Sequence, residues 1–365
     1  MRAGPRSLLR LLQAARRDRA ELTLAAFPPE TVRWAVTSGL GPWLRRCTMA
    51  DPGVAASPLW PLVQSADLTA RLLVAEQLDA TEEFVDVAAR HVAPLTLLKG
   101  ISLCEQLYPE PHLRTMGDID ILADEAALPT LQALLVELGY RPQSDYPAEF
   151  YATHHHIVPM IHPRRRVWVE VHRALLPRNS PAGLDPVFSA ARIAAELQPS
   201  LFRGHRVNRL SPELQLVYLA SHWAFGLKQE RAVVGMLDVV RLLDGAPRWT
   251  RILPLLDGAF AATYVYLLLT YLAQRGLADL EPNVLPELRR RQRSLARANL
   301  ATLHAVIDRH VVEGRPFDRI VSERTFGIAW QQLLSPGKAS GNLLRLGWSL
   351  LPSRGWWARV LTNRA

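Results

Sequence analysis

Residues 114–122, RTMGDIDIL, hold two acids one position apart, Asp118 and Asp120, in an apolar run opened by Gly117. Read as a strand from Gly117 to Leu122, the period of two turns both carboxylates to one face and Ile119 and Ile121 to the other. The acids then stand about 7 Å apart along the chain. Adjacent like charges repel, so such a pair asks for cations between its members. Hard Mg²⁺ ions with oxygen ligands answer that need, and two of them roughly 4 Å apart would clamp a nucleoside triphosphate and activate an attacking hydroxyl. Alone, an Asp-x-Asp pair is also a common pattern of surface acids.

A second segment adds a third acid. In RVWVEVHR, residues 166–173, Val167, Val169 and Val171 form an apolar face and leave Trp168, Glu170 and His172 on the opposite one. A carboxylate at the centre of a strongly β-forming segment is poorly placed for solubility. Beside the Asp-x-Asp strand it becomes a third metal ligand, with His172 orienting it or touching substrate, or serving as a structural histidine. Upstream, the run LTLLKG ends at Lys99 and Gly100, and ISLCEQLY after it reads as a helix. The Lys99 amine and the backbone N–H groups after Gly100 then meet phosphates at a helix N-terminus. Arg114 either pairs bidentately with the leaving phosphates or lies on a surface loop.

Other groups invite weaker readings. His154, His155, His156 and His162 suggest a metal, but no pair has the HxxxH spacing of a helix face and the segment reads as a strand, so the spacing speaks against zinc. Lys228, Arg231 and the run Arg164 to Arg166 read as solvated faces or as charges that steer phosphate.

The elements that position these residues follow from periodicity. Residues 1–90 read as an N-terminal helical segment: Leu72, Leu73, Leu78, Phe84, Val85 and Val87 recur at helical spacing, and Pro42, Pro52, Pro58 and Pro61 mark breaks. Residues 91–208 carry short β-like runs, LTLLKG, GDIDILA, HIVPMI and RVWVEVH, around one clear helix. That helix has Asp124 and Glu125 in its first turn, where the dipole favours acids. Its apolar stripe is Leu128, Leu131, Leu134, Leu135 and Leu138, and Gly139 stops it. From Ser211-Pro212, a helix start, residues 209–334 read as a C-terminal helical domain. The expected fold class is α+β, a minimal mixed-sheet core between helical segments.

Composition bounds the function. The 365 residues include 43 Lys plus Arg against 34 Asp plus Glu, a net +9 that favours anionic partners. At 49% hydrophobic residues, disorder is excluded as the main state. Two cysteines, Cys47 and Cys104, exclude a disulfide framework and a Cys-based zinc module, and point to a reducing, cytoplasmic setting. The Arg-studded N-terminus lacks the apolar core of a secretory signal. The run from Gly258 to Ala273 falls short of the roughly 20 apolar residues of a membrane span and reads as a buried helix. The tail, 335–365, has no acid and interleaves Arg and Lys with Trp348, Trp356 and Trp357. It either packs back on the helical domain or contacts an anionic membrane surface or nucleic acid.

The order strand, glycine turn, helix, Asp-x-Asp strand, helix and acid-centred strand resembles the nucleotidyltransferase superfamily of the polymerase β type. LKG, LYPEPHLRTMGDIDILA, ELGY and VEVH, within about residues 90 to 175, more closely resemble a bacterial family of uncharacterised nucleotidyltransferases. Where the wider superfamily has Gly-Gly or Gly-Ser, this chain has the Lys-Gly of the narrower family. The resemblance implies two Mg²⁺ ions on Asp118, Asp120 and Glu170, and an NTP, with ATP-type binding, held at Lys99, Gly100, Gly117 and Arg114. It implies transfer of NMP to a hydroxyl of a small molecule, peptide, sugar or RNA, with release of pyrophosphate. It also singles out His222 and Asp238, as lining for the acceptor side or as a core hydrogen-bonding pair. A nucleotide-binding or partner-regulating module without catalysis is the alternative.

Overall fold

A computed structural model describes residues 4–294 and 299–334. Helices α1 (Gly4–Arg17), α2 (Pro29–Thr37), α3 (Gly41–Thr48) and α4 (Trp60–Ala88) come first. The central part runs β1 (Thr96–Leu97), α5 (Lys99–Leu107), β2 (Ile119–Leu122), α6 (Leu128–Glu137), β3 (Arg141–Pro142), α7 (Ala148–Ala152), β4 (Met160–His162), β5 (Val167–His172), α8 (Ala190–Ala195), β6 (Leu197–Phe202) and β7 (His205–Leu210). Helices α9 (Pro212–Phe225), α10 (Ala232–Asp244), α11 (Trp249–Leu255), α12 (Ala261–Gln274), α13 (Val284–Arg291), α14 (Leu300–Ile307), α15 (Phe317–Val321) and α16 (Arg324–Leu333) follow.

The strands form one mixed sheet in the order β3-β4-β5-β2-β1-β7-β6, which establishes the α+β class. The acid-bearing strands are neighbours at its centre: β2 and β5 run parallel, with Asp120 opposite Glu170 and Ile121 opposite Val171. Strand β1 is antiparallel to β2 and parallel to β7. Strands β6 and β7 close a hairpin on Arg203 and Gly204, both at positive φ (48° and 91°), the twist a two-residue hairpin turn requires.

Alternation along β2 and β5 gives the sheet an apolar face of Ile119, Ile121, Val167, Val169 and Val171. It is buried with Val74, Leu78, Phe84 and Val85 of α4 and with Leu128, Leu131, Leu134 and Leu135 of α6. A second, larger core joins α1–α3 to the helices after β7, through Leu8, Leu11, Trp43 and Leu44 on one side and Leu216, Val239, Tyr264 and Leu268 on the other. The two cores therefore draw on residues from both sides of positions 90 and 208. Helix α12 is the buried helix expected of the 258–273 run, and among the described residues no helix is long and apolar enough to cross a membrane.

Several local expectations change. LTLLKG is extended only at Thr96–Leu97, because Lys99 takes a left-handed φ of 46° and opens α5. The strand expected from Gly117 starts at Ile119, so Asp118 lies in the bend before it. Of HIVPMI only Met160 and Ile161 are in β4, and the three consecutive histidines lie in a loop. Pro61 starts α4, where a missing N–H is tolerated. Leu72 and Leu73, expected on the apolar stripe, are exposed. The tail lies outside the described residues.

Candidate active site

The polar face of β2 and β5 opens on a cleft of ≈ 400 Å³, closed on the far side by α9 and α10. Parallel register sets Asp120 beside Glu170, and the period of two puts His172 on the same face as Glu170. The antiparallel ladder continues past β1, with Leu98 N–H donating to the Asp120 carbonyl at 3.0 Å. The next residue, Lys99, is thereby carried over the Asp120 side chain. Its Nζ donates to Asp120 Oδ1 at 2.7 Å, and His172 Nε2 donates to the same oxygen at 2.8 Å. One ligand atom from each of Asp120, Glu170 and His172 falls within 4.8 Å of the other two. Asp118 lines the same cleft without joining that tight group.

Charge is unevenly shared among the acids. Burial alone would raise Asp120, but Lys99 and His172 outweigh it and hold the carboxyl well below its ordinary range. Asp118 is pushed up to about 7, first by the charge of Asp120 and then by burial. Burial opposes ionisation of Glu170 too, yet His172, with Nε2 3.6 Å from Glu170 Oε2, brings it below its usual value. His172 and Lys99, both disfavoured by burial, are shifted up by these acids. Oxygen donors on two strands with a third acid beside them suit a hard divalent cation.

The uncharacterised nucleotidyltransferase family model matches residues 28–275. The chain belongs to this family. The match takes in the whole sheet and the helices α9 and α10 that wall the cleft, well beyond the stretch of about residues 90 to 175 on which the sequence resemblance rested. No curated protein and no solved structure matches.

The remaining expected site residues of this nucleotidyltransferase fall in three settings. Lys99, Gly100, Gly117 and Arg114 all line the cleft. Arg114, however, is already paired: its Nε and Nη2 reach the two Asp238 oxygens at 2.7 Å each, and Tyr108 OH donates to Asp238 Oδ1 at 2.6 Å. Asp238 therefore binds Arg114 and Tyr108, and His222 packs by its ring on Tyr218, with centroids 5.9 Å apart. His172 is fully buried, with its Nε2 2.8 Å from Asp120 Oδ1. Lys228 and Arg231 are exposed at the cleft rim. The Arg164–Arg166 run turns between β4 and β5, where Arg165 pairs with Glu76 and Glu83 of α4.

Tyr108 and Tyr218 escaped the sequence reading. Tyr218 is fully buried near Lys99, and its hydroxyl has no partner among the described atoms. Helix α9 is buried on nearly every side, so no polar stripe marks the residue in sequence. Gly100 has a packing reason, since a Cβ there would stand 2.5 Å from Met116 Cγ.

Proposed function

We propose that this nucleotidyltransferase is metal-dependent and moves the NMP of an NTP onto an acceptor hydroxyl, releasing pyrophosphate. The observation that carries this reading is the pairing of Asp120 with Glu170 on adjacent parallel strands, with Asp118 in the same cleft. Asp118, Asp120 and Glu170 would hold Mg²⁺, two ions by the family resemblance. Bound there, the metal neutralises phosphate charge and acidifies the hydroxyl.

The chain's own groups supply the rest. Lys99 and His172 fix Asp120 from two directions. The N-terminus of α5 at Lys99 and Gly100 presents its dipole to the phosphates. Glu170, held ionised, takes the proton of the acceptor hydroxyl as that oxygen attacks the α-phosphorus and the bond to the β-phosphate oxygen breaks. Lys228 and Arg231 draw the triphosphate towards the rim. Buried, unpaired Cys47 and Cys104, their thiols pushed up to about 12 by burial, suit a reducing cytoplasm.

The test is pyrophosphate release by the full chain with each labelled NTP and a panel of hydroxyl acceptors. Asp118→Asn and Glu170→Gln should each lower Mg²⁺-dependent release at least about a hundredfold; release at the wild-type rate would sink the assignment. One observation favours a second reading. The Lys99 ammonium already neutralises Asp120, as suits a module that binds nucleotide and regulates a partner without turnover. Tight NTP binding with no release for any acceptor would select it.

A further inference from the structure

His154, His155 and His156 lie in the loop between α7 and β4. An extended strand would send alternate side chains to opposite faces, but the turns of this loop gather all three. Ring centroids stand 4.2 Å apart for His154 and His155, 4.2 Å for His154 and His156, and 4.7 Å for His155 and His156. A ring nitrogen from each falls within 4.8 Å of the other two. The Nδ1 atoms of His154 and His155 are buried without a hydrogen-bond partner among the described atoms.

His156 fixes the chemistry. Its Nδ1 lies 2.7 Å from the Ile157 carbonyl oxygen, which can only accept, so Nδ1 carries the proton. In the neutral ring Nε2 is then a bare lone pair, and it points at Glu170 Oε2 from 3.7 Å. A lone pair facing a carboxylate is repulsive unless a cation stands between them. A backbone carbonyl holding the far nitrogen of a ring is the arrangement that orients metal-binding histidines. Neutral imidazole is the form that binds metal.

We propose that His154, His155 and His156 form a binding site for a transition-metal ion of the zinc class, next to but distinct from the carboxylate site of the proposed transfer reaction. Three imidazole nitrogens with a fourth position open are a donor set that zinc accepts in tetrahedral geometry and that magnesium disfavours. Glu170 lies where the two sites meet, so an ion on the histidines would also fix the direction of that carboxylate.

The experiment uses the full chain, stripped of metal by chelator and titrated with Zn²⁺ or Co²⁺ in excess Mg²⁺ and without nucleotide. Wild type should bind one ion saturably, with the visible absorption of tetrahedral Co²⁺. His154→Gln/His155→Gln should weaken binding at least about tenfold while keeping the metal-free melting temperature and circular dichroism of the wild type. Asp118→Asn should bind as the wild type does. Absence of saturable binding, or unchanged affinity in the double-histidine variant, would overturn the site. Loss of binding in Asp118→Asn would also overturn it, because the ion would then sit on the carboxylates. Should the double variant misfold, the wild-type Co²⁺ spectrum decides alone: nitrogen ligation upholds the site and an all-oxygen spectrum overturns it. No nucleotide is present, so this result and the loss of pyrophosphate release in Asp118→Asn stand or fall separately.

Discussion

Asp118 and Asp120 are separated by one residue and shifted in opposite directions, because the cations reach only one of them. Lys99 and His172 both end on Asp120 Oδ1, and Asp118 is left facing its neighbour's charge. The folded value of Asp118, about 7, lies above the ordinary 3.8 of an aspartate side chain. Its stabilising contribution is therefore full below the unfolded value and lost as pH rises through about 7. Asp118→Asn should melt higher than the metal-free wild type at pH 8 and converge with it at pH 4. Scanning fluorimetry across that range checks the sign, and a difference independent of pH would refute the coupling. Lys99→Met tests the other side: a buried Asp120 left with His172 alone should destabilise the fold by up to about 3–5 kcal/mol in urea, and adding Asp120→Asn should recover much of that loss.

The elements settle which of these residues can act together. The alternation of apolar and polar residues in β5 is written in the sequence, and the valine face is buried as that pattern requires. That β5 lies parallel to β2, in the register that pairs Asp120 with Glu170, depends on the sheet order and on no single segment. The glycine turn was legible as a feature, but its packing was not: Met116 fills the space over Gly100 and belongs to the segment leading into Asp118. Gly100→Ala should push that segment and lower pyrophosphate release more than it lowers stability, and Gly100→Ala/Met116→Ala should restore part of the activity. The same measurement without rescue would show that the helix N-terminus, and not the packing, needs the glycine.

The whole molecule explains why the cleft has walls. Helix α4 covers the sheet's apolar face, while α1–α3 share a core with the helices after β7, tied by the Trp34 indole N–H donating to the Val311 carbonyl at 2.9 Å. The acid-bearing strands therefore need partners from both ends of the chain. A fragment of residues 91–208 leaves the α4-facing side of the sheet exposed, and it should lack a cooperative thermal transition and bind hydrophobic dye. Residues 60–208 should regain secondary structure by circular dichroism. A cooperative, native-like 91–208 would refute the packing argument. Across the described chain many arginines are held in ion pairs, such as Arg16 with Asp244 and Asp279 or Arg203 with Asp79 and Glu82. Lys228 and Arg231 are left exposed at the rim.

By itself the sequence determined the elements whose periodicity is strong: the leucine stripe of α6, the apolar α12 and the acid-centred β5. It also singled out Asp118, Asp120 and Glu170, since carboxylates inside β-forming runs are chemically conspicuous wherever those runs pack. Only the tertiary structure decided how the set is used. Pairing of Arg114 with Asp238, of Lys99 with Asp120 and of His156 with Glu170 joins residues from 14 to 124 positions apart, and no local pattern encodes such distances. The histidine run shows the difference most plainly. With no HxxxH pair and a strand-like pattern its spacing speaks against a metal, yet in the loop between α7 and β4 the three rings come together.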